Sequence, residues 1–215
     1  QYILERTQHL DKTAEYSTLE RHCAKEGDFY LTRLDVVPFD SGVATVKQVY
    51  DAVQYFFTNM EMTMTAGSSN ELMLREEDYS EDLGVSQHRF VRSIAGMQIE
   101  LNSAIFGEFQ ERTDEHDAFA VIAHNFIDDD ALYLFRPTER VRQDASTAIT
   151  IHATPVRDES PWAAAREPVV VLTIFSRFKL HRSAVVATRE QWRQLKAACQ
   201  NCGEVLLQSV NEAIY

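Results

Sequence analysis

Cysteine is scarce: Cys23, Cys199 and Cys202 are the only three in 215 residues. An odd number cannot all pair within one chain, and a domain of this size needs no disulfide, so the count points to a reducing, cytoplasmic setting. No apolar run approaches the ~18 residues of a membrane span, and the N-terminus lacks the basic-then-apolar order of a secretory leader. Cations are in deficit, 21 Lys and Arg against 33 Asp and Glu. The net charge of −12 argues against the counterion-driven grip on phosphate backbones that nucleic-acid binding needs, so no nucleic-acid partner is expected. Glycine is low at seven, and neither a Gly-rich phosphate loop nor a GxSxG elbow occurs.

What is present is an ordinary globular composition, 45% hydrophobic and 25% charged, in a chain able to bury roughly 70% of its unfolded surface. The acidity is local. Residues 71–82, 108–117 and 128–130 carry −5, −4 and −3, the whole of the excess, so the remainder is neutral and the acids read as solvated turns between elements.

Leu4, Leu10, Ala14, Leu19 and Cys23 form a thin apolar stripe that predicts a helix over residues 1–26, stopped by Gly27. This N-terminal segment, 1–27, stands apart from a single domain at 28–215 and offers a face for a protein partner. Phe29 to Val37 reads as a strand ended by Pro38. Val46, Val49, Tyr50, Val53, Phe56, Phe57 and Met60 then recur at helical spacing, predicting a helix over 43–60 with Ser41 as its N-cap and a large aromatic face to bury. Strands follow near 71–78, 86–95, 98–111, 117–127, 131–136, 140–154 and 168–181. The turn-rich breaks between them are short, which favours antiparallel hairpins. Alternation gives two of these strands a dry face: the odd positions of 98–111 and the even positions of 168–181. The chain closes on an amphipathic helix capped by Thr188, with Gln191 at the capping-box position and Trp192, Leu195, Cys199, Cys202, Leu206 and Val210 on one face.

This order, α+β with a curved antiparallel sheet of about seven strands and a long C-terminal helix, resembles the helix-grip fold of the Bet v 1-like and START (steroidogenic acute regulatory protein-related lipid transfer) families. The run Phe126, Asp128, Asp129, Asp130, Leu134, Arg136, Pro137, Glu139, Arg140, Val141 and Arg142 looks more narrowly like START-like proteins abundant in oomycetes, some of them called mating-specific. The resemblance implies an apolar cavity between sheet and final helix and non-enzymatic binding or transfer of a sterol, fatty acid or phospholipid, with transient membrane contact.

Combined with alternation, it assigns the lining to Leu101, Ser103, Ile105 and Phe109, to Phe119, Val121 and Asn125, and to Thr147, Ile149, Leu172, Ile174 and Phe178. Trp192, Leu195, Cys199, Cys202 and Leu206 form the roof. The same residues also describe a solid core, in which case the fold is a regulatory or protein-interaction module. Ser103, Asn125, Thr147 and Ser176 are the polar members of apolar stripes and the candidates to orient a ligand's polar end. Trp162, in the loop from Pro155 to Pro168, is a candidate lid, with an insertion of no such role as the other reading. Arg136, Arg140 and Arg142, and Arg177, Lys179 and Arg182, are two basic clusters that either meet lipid headgroups or are solvated arginines of turns and wet faces.

No metal or cofactor is expected. Cys199-x-x-Cys202 lies inside a helix without a second CxxC, and His116 and His124 are eight residues apart, roughly 26 Å along an extended strand. Asp128 to Asp130 departs from a calcium loop because Leu132 takes the fifth position and the sixth is not Gly. The ionisable strand residues fall mostly in the polar register, so no catalytic residue is assigned.

Overall fold

The structure, a computed structural model, describes residues 7, 9–65, 73–80, 84–114, 116–155 and 168–215. Eight strands form one sheet: β1 (Tyr16–Cys23), β2 (Phe29–Pro38), β3 (Met73–Ser80), β4 (Val85–Ile94), β5 (Met97–Gln110), β6 (Phe119–Phe126), β7 (Arg140–Thr154) and β8 (Val169–Leu180). Helices α1 (Val46–Thr58) and α2 (Met60–Thr65) follow β2, and α3 (Arg189–Ile214) ends the chain. The strand order is β1-β2-β8-β7-β6-β5-β4-β3, antiparallel throughout. One parallel patch, Gln98 to Glu100 on Arg140 to Arg142, joins β5 to β7 where the shorter β6 has ended. The expected architecture is therefore present, with eight strands in place of about seven.

Local chemistry accounts for most boundaries. Thr45, not Ser41, caps α1: its hydroxyl accepts from the Gln48 N–H while the Gln48 side chain accepts from the Thr45 N–H, a reciprocal capping box. Thr188 and Gln191 repeat that box at α3, as the sequence predicts. Ala95 and Gly96 turn β4 into β5 with φ of +52° and +77°, the left-handed pair that matches hairpin twist. Gln191 Nε2 donates to the Ala95 carbonyl at 2.9 Å and ties the start of α3 to that turn.

Other sequence expectations fail as well. Tyr16–Cys23 is not helical but the edge strand β1, paired from Tyr16↔Val36 to Cys23↔Phe29. Gly27, at φ +97°, belongs to the turn joining β1 to β2 and does not end a helix. Because β1 is exposed on almost every residue, it carries no period-2 hydrophobic signal, and its pairing partner alone makes it a strand. The proposed boundary at residue 27 thus falls inside a β-hairpin, and the N-terminal helix offered as a partner-binding face is absent over residues 16–23.

Residues 131–136 likewise form no strand. The Asp130 carboxylate accepts from the Leu132 and Tyr133 N–H groups at 2.8 and 3.1 Å and draws the segment into a turn. No sheet edge is open to it, since β5 and β7 pair directly there.

The concave face carries two apolar clusters. One packs Val49, Val53, Phe56 and Phe57 of α1 against Ile122, Ile149, Ile151 and Leu172 of the sheet and Leu206 and Val210 of α3. The other packs Leu195 and Cys199 of α3 against Leu31, Ile99, Val141 and Leu180. Gly203 lets α3 descend onto β2, because a Cβ there would lie 2.8 Å from Arg33 Cδ.

Candidate ligand-binding cavity

A partly open, largely apolar cavity lies at the seam of the two clusters. Its volume is about 70 Å³. Phe56, Phe57, Met60 and Met64 of α1 and α2 close one end, Cys202, Gly203 and Leu206 of α3 form the roof, and the floor comes from strands β4 to β8.

Of the expected lining, Leu101, Thr147, Phe178, Cys202 and Leu206 face this space. Ser103, Ile105, Ile149, Leu172, Ile174, Leu195 and Cys199 are buried around it without lining it, and Trp192 is partly buried against the second cluster. Phe109 sits farther along β5, its ring 5.8 Å from that of Tyr50. Trp162 and most of its loop, residues 156–167, lie outside the described residues.

Phe119, Val121 and Asn125 are misplaced by one residue. Cross-strand pairing puts Ala120, Ile122 and His124 opposite the inward Phe109, Gly107 and Ile105, so the even face of β6 is the dry one. Asn125 points to the wet side and accepts from Ser146 Oγ at 2.6 Å. A single-residue slip reverses every side chain of a strand. The odd set Phe119, Val121 and Ala123 is as apolar as the even set Ala120, Ile122 and Phe126, so alternation within β6 could not choose between them.

Most ionisable strand residues do face outward, as expected, but an inward minority was not foreseen. Arg33, Asp35, Arg75, His88, Arg92 and His124 all lie on the concave side or its margin. The register sets Arg33 opposite Ser176, Ser176 opposite Thr147 and Thr147 opposite His124, a polar row crossing four strands. Thr147 Oγ1 and Ser176 Oγ satisfy each other at 3.1 Å. Arg33 is held by Asp35 at 2.6 Å and by Glu204 at 3.4 Å.

At the β4–β6 end, Arg75 Nη2 donates to His88 Nδ1 at 3.1 Å. A guanidinium only donates, so His88 carries its own proton on Nε2. Burial pushes the His88 pKa down to about 4, helped by the Arg75 charge and opposed by Glu77. His124 falls to about 4 as well, through burial and then the proximity of His88. Both imidazoles are neutral at pH 7. His124 Nε2 and Ser103 Oγ are buried without a hydrogen-bond partner.

On the opposite side of the seam, burial raises the Cys199 thiol to about 12, which keeps it protonated. It donates to Gln143 Oε1 at 3.5 Å, so Cys199 is a packed core residue. The signal for the missed α1 and α2 residues is the Phe56, Phe57 and Met60 face, already legible as a stripe in need of a partner. His88, Phe90, Arg92 and Ile94 had no such signal, because both faces of β4 carry arginine.

The basic clusters are largely neutralised within the protein. Arg140 bonds Glu100 at 2.8 Å, Arg142 bonds Asp144 at 2.7 Å and Asp128 at 2.9 Å, and Lys179 bonds Asp28 at 3.1 Å.

An eight-stranded curved sheet gripping a long C-terminal helix defines the helix-grip class. No family model matches the chain, and no curated protein matches it in sequence. Among solved structures, human STARD10 superposes with a TM-score of 0.52 at 9% identity, over 98% of this chain and 76% of that one. The human StarD13 (DLC2) lipid transfer and protein localization domain gives 0.47 at 9% identity, covering 100% of this chain and 98% of that domain. A conserved protein from Geobacillus kaustophilus gives 0.39 at 10% identity, over 85% and 94%. Within its class the fold is START-like, on the likeness to STARD10.

Proposed function

We propose that this chain is a non-enzymatic binder or carrier of one lipid-like apolar molecule, a sterol, fatty acid or phospholipid, held between the sheet and α3. The observation that carries the reading is the largely apolar cavity between sheet and α3, with the buried, unpartnered polar atoms of His124 and Ser103 beside it. Apolar surface moved into such a space gains roughly 25 cal/mol per Å². An unmatched buried hydroxyl or imidazole nitrogen costs about 1–3 kcal/mol until a partner arrives. A cytoplasmic setting, transient membrane contact and the narrower kinship with oomycete START-like proteins belong to the same proposal.

The volume decides what the cavity can hold in this form. Ligand pockets span roughly 300–1,000 Å³, so about 70 Å³ admits no sterol or acyl chain until part of the wall moves. That small volume is the observation favouring a second reading, in which the domain is packed solid and works through its surface as a regulatory or interaction module.

Native mass spectrometry of protein purified from cells without detergent separates the two. A co-purifying lipid supports the carrier, and a uniformly empty protein that also takes up no added lipid overturns it. Ala145 is 1% exposed and lines the cavity, so Ala145→Leu fills the space at an overpacking cost of about 1–3 kcal/mol. The expected outcome is a folded protein by circular dichroism that no longer takes up lipid.

A further inference from the structure

Arg92 is the cavity's unsolved electrostatic problem. It is 8% exposed and lines the space beside Phe90, Ile99 and Leu101. Arg33 has Asp35, and Arg75 has Glu77 at 2.9 Å. Among the described residues no carboxylate lies within ion-pair distance of Arg92. Its contacts are Gln143 Oε1 at 3.5 Å and Cys202 Sγ at 4.0 Å, both long and both neutral. Gln143 Oε1 is shared with the Cys199 thiol, which weakens it further as a partner. A guanidinium cannot shed its proton to escape burial, so it needs an anion.

The geometry points to Arg92 as the headgroup site for a single-chain lipid ending in a carboxylate, the anion lying beneath α3 and the chain running toward Met60 and Met64. The inference rests on the lipid-binding reading above and narrows its ligand class. Two features favour a carboxylate over a neutral head. A buried unpaired charge is costlier to leave alone than the unpartnered hydroxyl of Ser103 or imidazole of His124, so the charge decides which end of the ligand is held where. A carboxylate also matches the planar guanidinium fork, with two N–H donors to two oxygens. The His124 and Ser103 end is neutral and meets the chain or a mid-chain polar group.

The test is calorimetric titration of the wild-type protein with monomeric oleate, oleyl alcohol and 1-oleoyl lysophosphatidate, and of Arg92→Met with the first two. Oleate should bind wild type at least about tenfold more tightly than the alcohol, the size expected of a charge-assisted pair. Arg92→Met should remove the advantage of oleate over the alcohol. With no lipid present, the variant should melt at the wild-type temperature or above, because it removes an uncompensated charge and keeps an apolar stem. Equal binding of oleate and alcohol by wild type overturns the headgroup assignment and leaves the lipid reading standing. If no lipid binds at all, the lipid reading fails and takes this inference with it. Preference for the lysophosphatidate overturns the carboxylate. A variant that melts lower or does not fold shows that the guanidinium is already compensated, and overturns the premise.

Discussion

His88 and His124 join local chemistry to the stability of the whole sheet. Each is neutral in the folded state with a pKa near 4, against an ordinary value of 6.5, and the charged groups facing them are Arg75 and Glu77. A depressed histidine pKa means that the unfolded chain binds the extra proton. The stabilisation is therefore complete above about pH 6.5 and is lost as the pH falls toward 4. Between pH 7 and 5 each histidine should cost about 2 kcal/mol of folding free energy, read from urea denaturation. His124→Leu should roughly halve that slope, and an unchanged slope would move the acid sensitivity to carboxylates. Neither histidine was legible as an inner residue. Facing follows from which strands pair, and on β6 the two faces are too alike in apolar content for local alternation to reveal it. Leu101, Thr147 and Phe178 were legible because β5, β7 and β8 have one plainly wetter side.

At the scale of elements, legibility tracks how much of an element's reason for existing is local. The two long helices announce themselves through apolar stripes, α3 also through its capping box, and seven of the expected strands appear close to their places. β1 and the 131–136 turn do not, because a partner strand decides the first and one carboxylate the second. Gly203 is another element-level device with no signature in the sequence. It allows α3 to rest on Arg33, whose buried ion pair with Asp35 measures 2.6 Å. Gly203→Ala gains about 1 kcal/mol in helix propensity. It also drives a Cβ to 2.8 Å from Arg33 Cδ and 3.0 Å from Nε, displacing a guanidinium whose loss of its partner costs about 3–5 kcal/mol. A net destabilisation of about 2 kcal/mol or more is expected in the urea midpoint, and a stabilised variant would mean that Arg33 swings aside freely.

For the molecule as a whole, the question is which wall yields. The cavity floor cannot open cheaply, since its strands are hydrogen-bonded to neighbours on both sides and moving one breaks two ladders. The roof, α3, is a 26-residue helix buried through Leu195, Cys199, Gly203, Leu206 and Val210. The remaining wall is α1 and α2, and α2 is a six-residue helix, far below the length at which a helix sustains itself. It offers Met60 and Met64 to the cavity, unbranched side chains that rearrange at little cost. On the proposed lipid-binding reading, a lipid would enter by displacing α2 and the end of α1 while the sheet and α3 keep their positions. Hydrogen exchange followed by mass spectrometry should show Val46–Thr65 exchanging faster than Arg189–Ile214 in the empty protein. Oleate loading should slow the first segment several-fold and leave the second nearly unchanged. Protection confined to α3, or spread evenly over the sheet, would place the entrance elsewhere and remove α2 from the path.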